Sequence, residues 1–133
     1  MRNALVTALL CLALPTASNA QSMARGHYIV EHVGMCDDCH TPRDDKGQLI
    51  TSQALQGAPI GFRPLHPMPF AEMAPRIAGL PANYTPAQVV TFLETGKRPD
   101  GSSPRPPMPG YRLSHTDAVS VMEWLRSLKH GPN

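Results

Sequence analysis

The feature that most constrains this chain is the run Cys36-Asp37-Asp38-Cys39-His40. Two residues between the cysteines let both sulfurs reach the two vinyl groups of one haem, and the adjacent imidazole then falls under the iron. The run therefore predicts one covalently bound haem c, attached through Cys36 and Cys39 and ligated at the iron by His40. A chain that folds around a porphyrin needs only a small apolar core of its own.

The composition fits such a core. A length of 133 residues suits one domain, and the chain contains one Trp, three Tyr and three Phe against 15 Pro. Large apolar side chains are therefore scarce, and much of the chain must be loop. Short chains bury a smaller fraction of their surface and often depend on a metal, a disulfide or a cofactor, so the composition favours a cofactor-filled core.

Three alternatives stay open for the run from Cys36 to His40. A redox dithiol of the thioredoxin type usually follows a strand and begins a helix, whereas this run follows a predicted helix and meets Pro42. A zinc site would need further ligands from His27, His32 or His66, at spacings unlike the familiar structural sets. A structural disulfide would close a very short loop and would contribute little chain-entropy stabilisation.

The first twenty residues have the features of an export signal. Arg2 gives a positive start, residues 4–14 are largely apolar, and Ser18-Asn19-Ala20 places small residues at a cleavage site. We expect residues 1–20 to be a signal peptide and residues 21–133 to be a mature domain in the periplasm. The apolar stretch is shorter than the about 20 residues that span a bilayer, so we expect no stable membrane span; a retained N-terminal anchor is the alternative.

The charge is nearly balanced. The formal net charge of +2 lacks the strong basic excess of nucleic-acid-binding domains, so we expect no nucleic-acid partner. Basic residues are concentrated between Lys97 and Arg112, where they form either a local basic patch or an ordinary solvated loop.

Two helices are indicated in the first two thirds of the mature chain. Apolar residues at three- to four-residue spacing predict a helix over residues 23–34. A second helix is marked by Thr85 as its cap, Pro86 at the first helical position and Gln88 completing a capping box. Gly96 provides its end.

A third helix and two long loops complete the mostly α fold class. The helix follows Ser114 as its cap and ends near Lys129. Residues 48–51 are candidates for one short strand. Loop 41–73 is too long to be structureless in a compact domain by chance, and loop 97–112 carries five prolines, which exclude helix or central strand there.

The second axial ligand of the iron stays open on the residues alone. Met108 lies between two prolines shortly before the third helix, and a stiff loop lowers the entropy cost of holding a weak thioether ligand. Met68, also flanked by prolines, is a rival, and His66 would give an iron with two histidine ligands.

The order of these features, from Gly26 to Lys129, resembles the small monohaem cytochromes c of mitochondria and bacteria. The resemblance implies a cytochrome c-like fold of three or more helices around one covalently bound haem, joined by long proline-rich loops. It favours Met108 as the second axial ligand. It also implies that the carbonyl of Pro75 accepts the Nδ1 proton of His40, which leaves Nε2 for iron.

A closer resemblance is to the cytochrome c domains that accompany periplasmic dehydrogenases. It is carried by residues 26–30, by the segment from Cys36 to Arg43, and by Arg105-Pro106-Pro107-Met108-Pro109 with Tyr111-Arg112. The cytochrome family also crosses its first and last helices at a small residue. That resemblance implies Gly26 in this role, opposite Trp124-Leu125.

The function implied by the resemblance is one-electron transfer without bond chemistry. With His40 and Met108 both bound, no iron position is open to a substrate, so we expect a periplasmic electron carrier and not an enzyme. The resemblance implies a periplasmic dehydrogenase as donor and a terminal oxidase or another cytochrome as acceptor, both transient. The alternatives are a permanent haem subunit of a dehydrogenase complex, or a haem sensor or peroxidase if Met108 is not bound.

Overall fold

The computed structural model describes residues 16–129. In chain order its elements are α1 (Thr16–Tyr28), a π-helical segment (Ile29–Val33), α2 (Cys36–His40), a 3₁₀ turn (Thr51–Gln53), β1 (Ala58–Pro59), β2 (Met73–Ala74), α3 (Pro86–Thr95) and α4 (His115–Ser127). The predicted mostly α class with long loops is confirmed. Residues 1–15 of the predicted signal peptide lie outside the described residues.

The ends of α3 follow from local side-chain chemistry. The Thr85 hydroxyl accepts from the Gln88 backbone N–H, and the Gln88 side chain accepts from the Thr85 N–H. This reciprocal pair satisfies two of the free donors at the helix start. Gly96 ends the helix in the left-handed conformation, with φ of 66°. The predicted bounds of this helix are therefore confirmed.

The last helix likewise begins as the sequence predicts. The Ser114 hydroxyl accepts from the Asp117 N–H at 3.2 Å, which caps α4. The helix ends at Ser127, close to the predicted end at Lys129.

The first helical run is longer than predicted. It begins at Thr16 instead of residue 23, because residues 16–25 contain no glycine or proline to interrupt it. Its last turn is π-helical and ends where the Gly34 N–H donates to the Ile29 carbonyl at 2.7 Å. None of the helices of residues 16–129 is long and apolar enough to cross a bilayer.

Helix α1 crosses α4 at Gly26, where the two backbones nearly touch. A Cβ at this position would overlap the carbonyl oxygen of Ser120 and would lie 2.9 Å from the Cβ of Trp124. The predicted contact with Trp124 is present. The other nearest atoms belong to Ser120, one turn of α4 before Trp124, so both residues face the crossing, and the expected contact with Leu125 stays a prediction.

The π-helical segment, α3, α4 and the loops between them contribute to one small core. Its fully or nearly buried side chains are Ile29, Val30, Leu55, Ala78, Leu80, Val89, Val90, Leu93, Ala118, Val121, Met122 and Leu125. The aromatic side chains that pack against this cluster are only partly buried. The core is thin, in agreement with the composition.

The predicted strand over residues 48–51 is wrong. Leu49 makes only a single bridge with Arg43, and the 3₁₀ turn begins at Thr51. The Asp44 carboxylate accepts from two backbone N–H groups of the intervening residues, and Gly47 has φ of 77°. The chain thus reverses within five residues, which leaves no length for a strand.

Two short strands that the sequence does not predict close the base of the long loop. β1 pairs antiparallel with β2, with Ala58 opposite Ala74 and Pro59 opposite Met73. This pairing closes residues 60–72 into a loop beside the run from Cys36 to His40, hereafter the attachment run.

Candidate functional site

The attachment run forms a helix of its own. The chain leaves the π-helical segment through Gly34, and Met35 adopts the left-handed conformation with φ of 47°, which turns the chain into α2. The Cys36 and Cys39 side chains are half-buried free thiols. His40, at the end of α2, is only 6% exposed.

The His40 ring is fixed by the carbonyl expected from the sequence. The distance from His40 Nδ1 to Pro75 O is 2.6 Å. A carbonyl oxygen can only accept, so Nδ1 carries the proton and Nε2 keeps its lone pair. Within residues 16–129, Nε2 has no hydrogen-bond partner. Burial lowers the pKa of His40, while the hydrogen bond to Pro75 opposes that change.

Two further sets of contacts hold Pro75 in this place. The Gly57 N–H donates to the His40 carbonyl at 2.7 Å, and the Ile77 N–H donates to the Leu55 carbonyl at 3.0 Å. Gly57 has φ of 91°, and a Cβ there would lie 3.1 Å from the carbonyl carbon of Pro75. Only a glycine permits both that conformation and that close approach.

The electrostatics of Cys36 differ from those of a reactive redox cysteine. Burial, followed by the neighbouring Asp37 carboxylate, raises the pKa of the Cys36 thiol to about 11. Reactive dithiols have lowered pKa values. In addition, a π-helical segment and not a strand precedes the run. Both observations disfavour the thioredoxin-type alternative.

The zinc alternative required several histidines near the two thiols. In the described part of the chain, no group of three or more His, Cys, Asp or Glu side chains is placed to hold a metal ion.

A cavity of about 590 Å³ opens beside Cys39, and its walls include Thr41, Pro42 and residues 58–62. A second cavity of about 540 Å³ shares Pro59, Ile60 and Phe62 with it and continues along residues 63–72. Cofactor sites commonly have volumes of about 300–1,000 Å³ and mostly apolar walls. The volumes lie in that range, but the walls mix apolar side chains with charged ones such as Arg43 and Glu72 and do not include His40, so the fit to a haem rests on the donor set of Cys36, Cys39 and His40.

The three candidates for the second ligand have different surroundings. Met68, about half exposed, and His66 line the second cavity. Met108 is partly buried in loop 97–112, and its N–H donates to the Arg105 carbonyl at 3.2 Å. That loop is joined to the cavity wall where the Ala71 N–H donates to the Pro106 carbonyl at 2.7 Å.

Tyr111 belongs to the motif that carries the resemblance, but the sequence assigns it no role at the site. Its hydroxyl donates to the Gly34 carbonyl at 2.6 Å. Burial, with the nearby Cys36 and Cys39, raises the pKa of Tyr111 to about 12. The hydrogen bond joins residues 77 positions apart, so no local sequence pattern predicts it.

A known protein with a similar sequence is a c-type cytochrome. No protein-family model matches the chain. The chain is 33% identical over 86 residues to a protein of Cereibacter sphaeroides named diheme cytochrome c-type, a match that covers 59% of this chain. The match covers 24% of that relative, so the chain spans about a quarter of its length. The chain is thus similar to a c-type cytochrome, in agreement with the predicted resemblance.

Proposed function

We propose that the protein is an exported one-electron carrier with a single covalently attached haem c. The observation that supports it most directly is the 2.6 Å hydrogen bond between His40 Nδ1 and Pro75 O. Because Nδ1 is occupied, Nε2 of His40 is free to ligate iron. His40 also directly follows two free thiols, Cys36 and Cys39, that are spaced as haem attachment requires. The match to a c-type cytochrome supports the same reading.

Four side chains would hold the group. Cys36 and Cys39 would form the thioethers, and His40 and Met108 would ligate the iron from opposite sides. The sequence contains one Cys-x-x-Cys-His run, so we propose one haem per chain. When bound, haem with His and Met ligands supplies a reversible one-electron redox couple at a raised potential.

The residues of this chain have positioning roles in that proposal. Pro75 orients the His40 ring and sets its tautomer, and the rest of the fold buries most of the His40 side chain. With His40 and Met108 both bound to it, the iron would offer no place for a substrate. The protein therefore carries electrons between partners and is not itself an enzyme.

The proposed partners are a periplasmic dehydrogenase as donor and a terminal oxidase or another cytochrome as acceptor. The basic residues of loop 97–112 are largely exposed, and they would steer a negatively charged partner. In that case the rate of reduction by the donor falls as salt concentration rises. A rate that is indifferent to ionic strength would remove the steering role.

Attachment and export are tested on the protein purified from a host that matures c-type cytochromes. Intact mass should equal the chain from Gln21 onward plus one haem, and the haem should resist acid-acetone extraction. A mature N-terminus at Gln21 in the periplasmic fraction supports the proposed signal peptide, residues 1–20. A protein without covalent haem would overturn the proposed function.

The second ligand is tested by a matched pair of substitutions. The ferric protein should show the weak far-red absorption band of methionine ligation. Met108→Ala should abolish that band, whereas Met68→Ala should preserve it. The opposite result would transfer the ligand role to Met68. A band that survives in both variants would mean that another methionine is the ligand and would overturn the role of Met108. Absence of the band from the native protein would favour an open-site sensor or peroxidase, or ligation by His66.

A second candidate function is a permanent haem subunit of a larger complex. The observation that favours it is that the matched relative, named as a diheme protein, is about four times longer than the part this chain matches. Gel filtration of the native extract, followed by the haem absorbance, separates the two. Elution at the size of one chain supports a free carrier, and co-elution with a dehydrogenase supports a subunit.

A further inference from the structure

Tyr111 connects the two sides of the proposed site. It lies three residues after Met108, and its hydroxyl donates to the Gly34 carbonyl, two residues before Cys36. In the part of the chain that the structure describes, it is the one side chain of loop 97–112 that hydrogen-bonds residues 29–40.

The acceptor of this hydrogen bond is held in a defined position. The Gly34 N–H donates to the Ile29 carbonyl at 2.7 Å and so terminates the helical run. A Cβ at Gly34 would lie 3.2 Å from Cys36 Sγ and 3.4 Å from the Tyr111 hydroxyl oxygen. The Gly34 carbonyl therefore belongs to a fixed helix end, from which the chain continues into the attachment run.

The donor lies in a segment with few other attachments. Prolines on both sides of Met108 provide no N–H groups, so the loop is stiff but cannot be fixed by a backbone ladder. Its backbone is tied to its surroundings at Pro106, which accepts from Ala71, and at Leu113, which donates to a carbonyl of α3. Between these two points, the hydrogen bond of the Tyr111 hydroxyl connects the loop to residues 29–40, hereafter the attachment side.

We propose that Tyr111 is a positioning residue that holds the Met108 loop against the attachment side and so keeps Met108 on the iron. The inference rests on the proposed function, because it requires methionine ligation. A thioether is a weak ligand, and its apparent affinity falls in proportion to the fraction of time that the loop is in the binding conformation. A hydrogen bond that selects this conformation therefore strengthens ligation without touching the iron.

The test is Tyr111→Phe in the haem-bearing protein, which removes one oxygen atom and keeps the ring. Exogenous imidazole competes with the methionine for ferric iron, so its apparent affinity reports how firmly the native ligand is held. Loss of one hydrogen bond of about 1 kcal/mol corresponds to about a fivefold change at 25 °C. We expect the variant to bind imidazole about fivefold more tightly, with unchanged covalent haem content.

Tyr84→Phe is the matched control. The Tyr84 ring packs 6.4 Å from that of Phe92, and its hydroxyl has no hydrogen bond among residues 16–129. Imidazole affinity should therefore stay at the native value in this variant.

The outcomes separate the inference from the function on which it rests. A native far-red band that Met108→Ala abolishes, combined with unchanged imidazole affinity in Tyr111→Phe, overturns the role of Tyr111 alone. A lowered unfolding free energy without a change in imidazole affinity also overturns it, because the hydroxyl is then a general structural contact. If the Tyr111→Phe protein accumulates without haem, the inference is also overturned, because the hydroxyl is then needed for covalent attachment of the haem. A native protein without the band overturns the proposed ligation itself.

Discussion

Replacing Gly26 with Ala tests the close crossing of α1 and α4. A Cβ at Gly26 would overlap the Ser120 carbonyl oxygen and would lie 2.6 Å from the Ser120 carbonyl carbon. These are backbone atoms of a helix, so neither can rotate away as the end of a flexible side chain could. The helices themselves must separate.

The expected cost follows from the required separation. Ordinary contacts begin at 3.4 Å, so the distance of 2.6 Å to the Ser120 carbonyl carbon must grow by at least about 0.8 Å, and the overlapped carbonyl oxygen requires a larger shift. A gap of about 0.5–1 Å already loses a quarter to a half of the dispersion attraction across an interface. Overpacking of this kind costs about 3 kcal/mol at the upper end of the usual range. The better helix propensity of Ala returns about 1 kcal/mol, so the net loss is about 2 kcal/mol.

The assay is equilibrium unfolding in guanidinium chloride, followed by far-UV circular dichroism. Gly61→Ala is the control, because a Cβ at Gly61 meets nothing within 4 Å. Its unfolding free energy should stay within about 0.5 kcal/mol of the native value. A Gly26→Ala protein as stable as the native one would show that the backbones do not approach this closely, and the reasoning would fail.

Three further substitutions address single contacts. Thr85→Ala should lower the unfolding free energy by about 1 kcal/mol through loss of the α3 cap, while Thr85→Ser should keep it; equal stability of the two would contradict the capping box. Asp117→Asn tests the hydrogen bonds from Arg25, which hold the pKa of Asp117 below its ordinary value. The stabilisation is then present above the unfolded pKa of about 3.9 and is lost as pH falls through the lower folded value, so a difference in stability that does not shrink as the pH is lowered below about 3.9 would refute it. Thr41→Val removes the acceptor at 2.9 Å from the buried Leu55 N–H and should cost about 1–3 kcal/mol, measured by the same unfolding assay; a change below 0.5 kcal/mol would count against that hydrogen bond.

The parts of the fold that the sequence predicts are those fixed by neighbours along the chain. Thr85, Gln88 and Gly96 define α3 because a capping box and a left-handed end act over three or four residues. Ser114 begins α4 for the same reason. The attachment spacing of Cys36 and Cys39 is equally local.

The parts that the sequence misses depend on residues far apart. The pairing of β1 with β2 spans two residues on each side, too few for an alternating pattern to be visible. The contact of Gly26 with Ser120 depends on where along α4 the first helix crosses, and the periodicity of either helix alone does not set that register. Tyr111 and Gly34 come together only in the folded chain.

The two proposed iron ligands differ in how firmly the fold holds them. His40 lies in a helix that its own neighbours define, and its ring is held by Pro75, itself anchored beside Gly57. Met108 instead lies in a loop that depends on hydrogen bonds from distant segments, including that of Tyr111. Segments with few buried contacts open at lower free energy than the core does. In the proposed carrier, heat, denaturant or a competing ligand should therefore release the methionine while the histidine side stays intact.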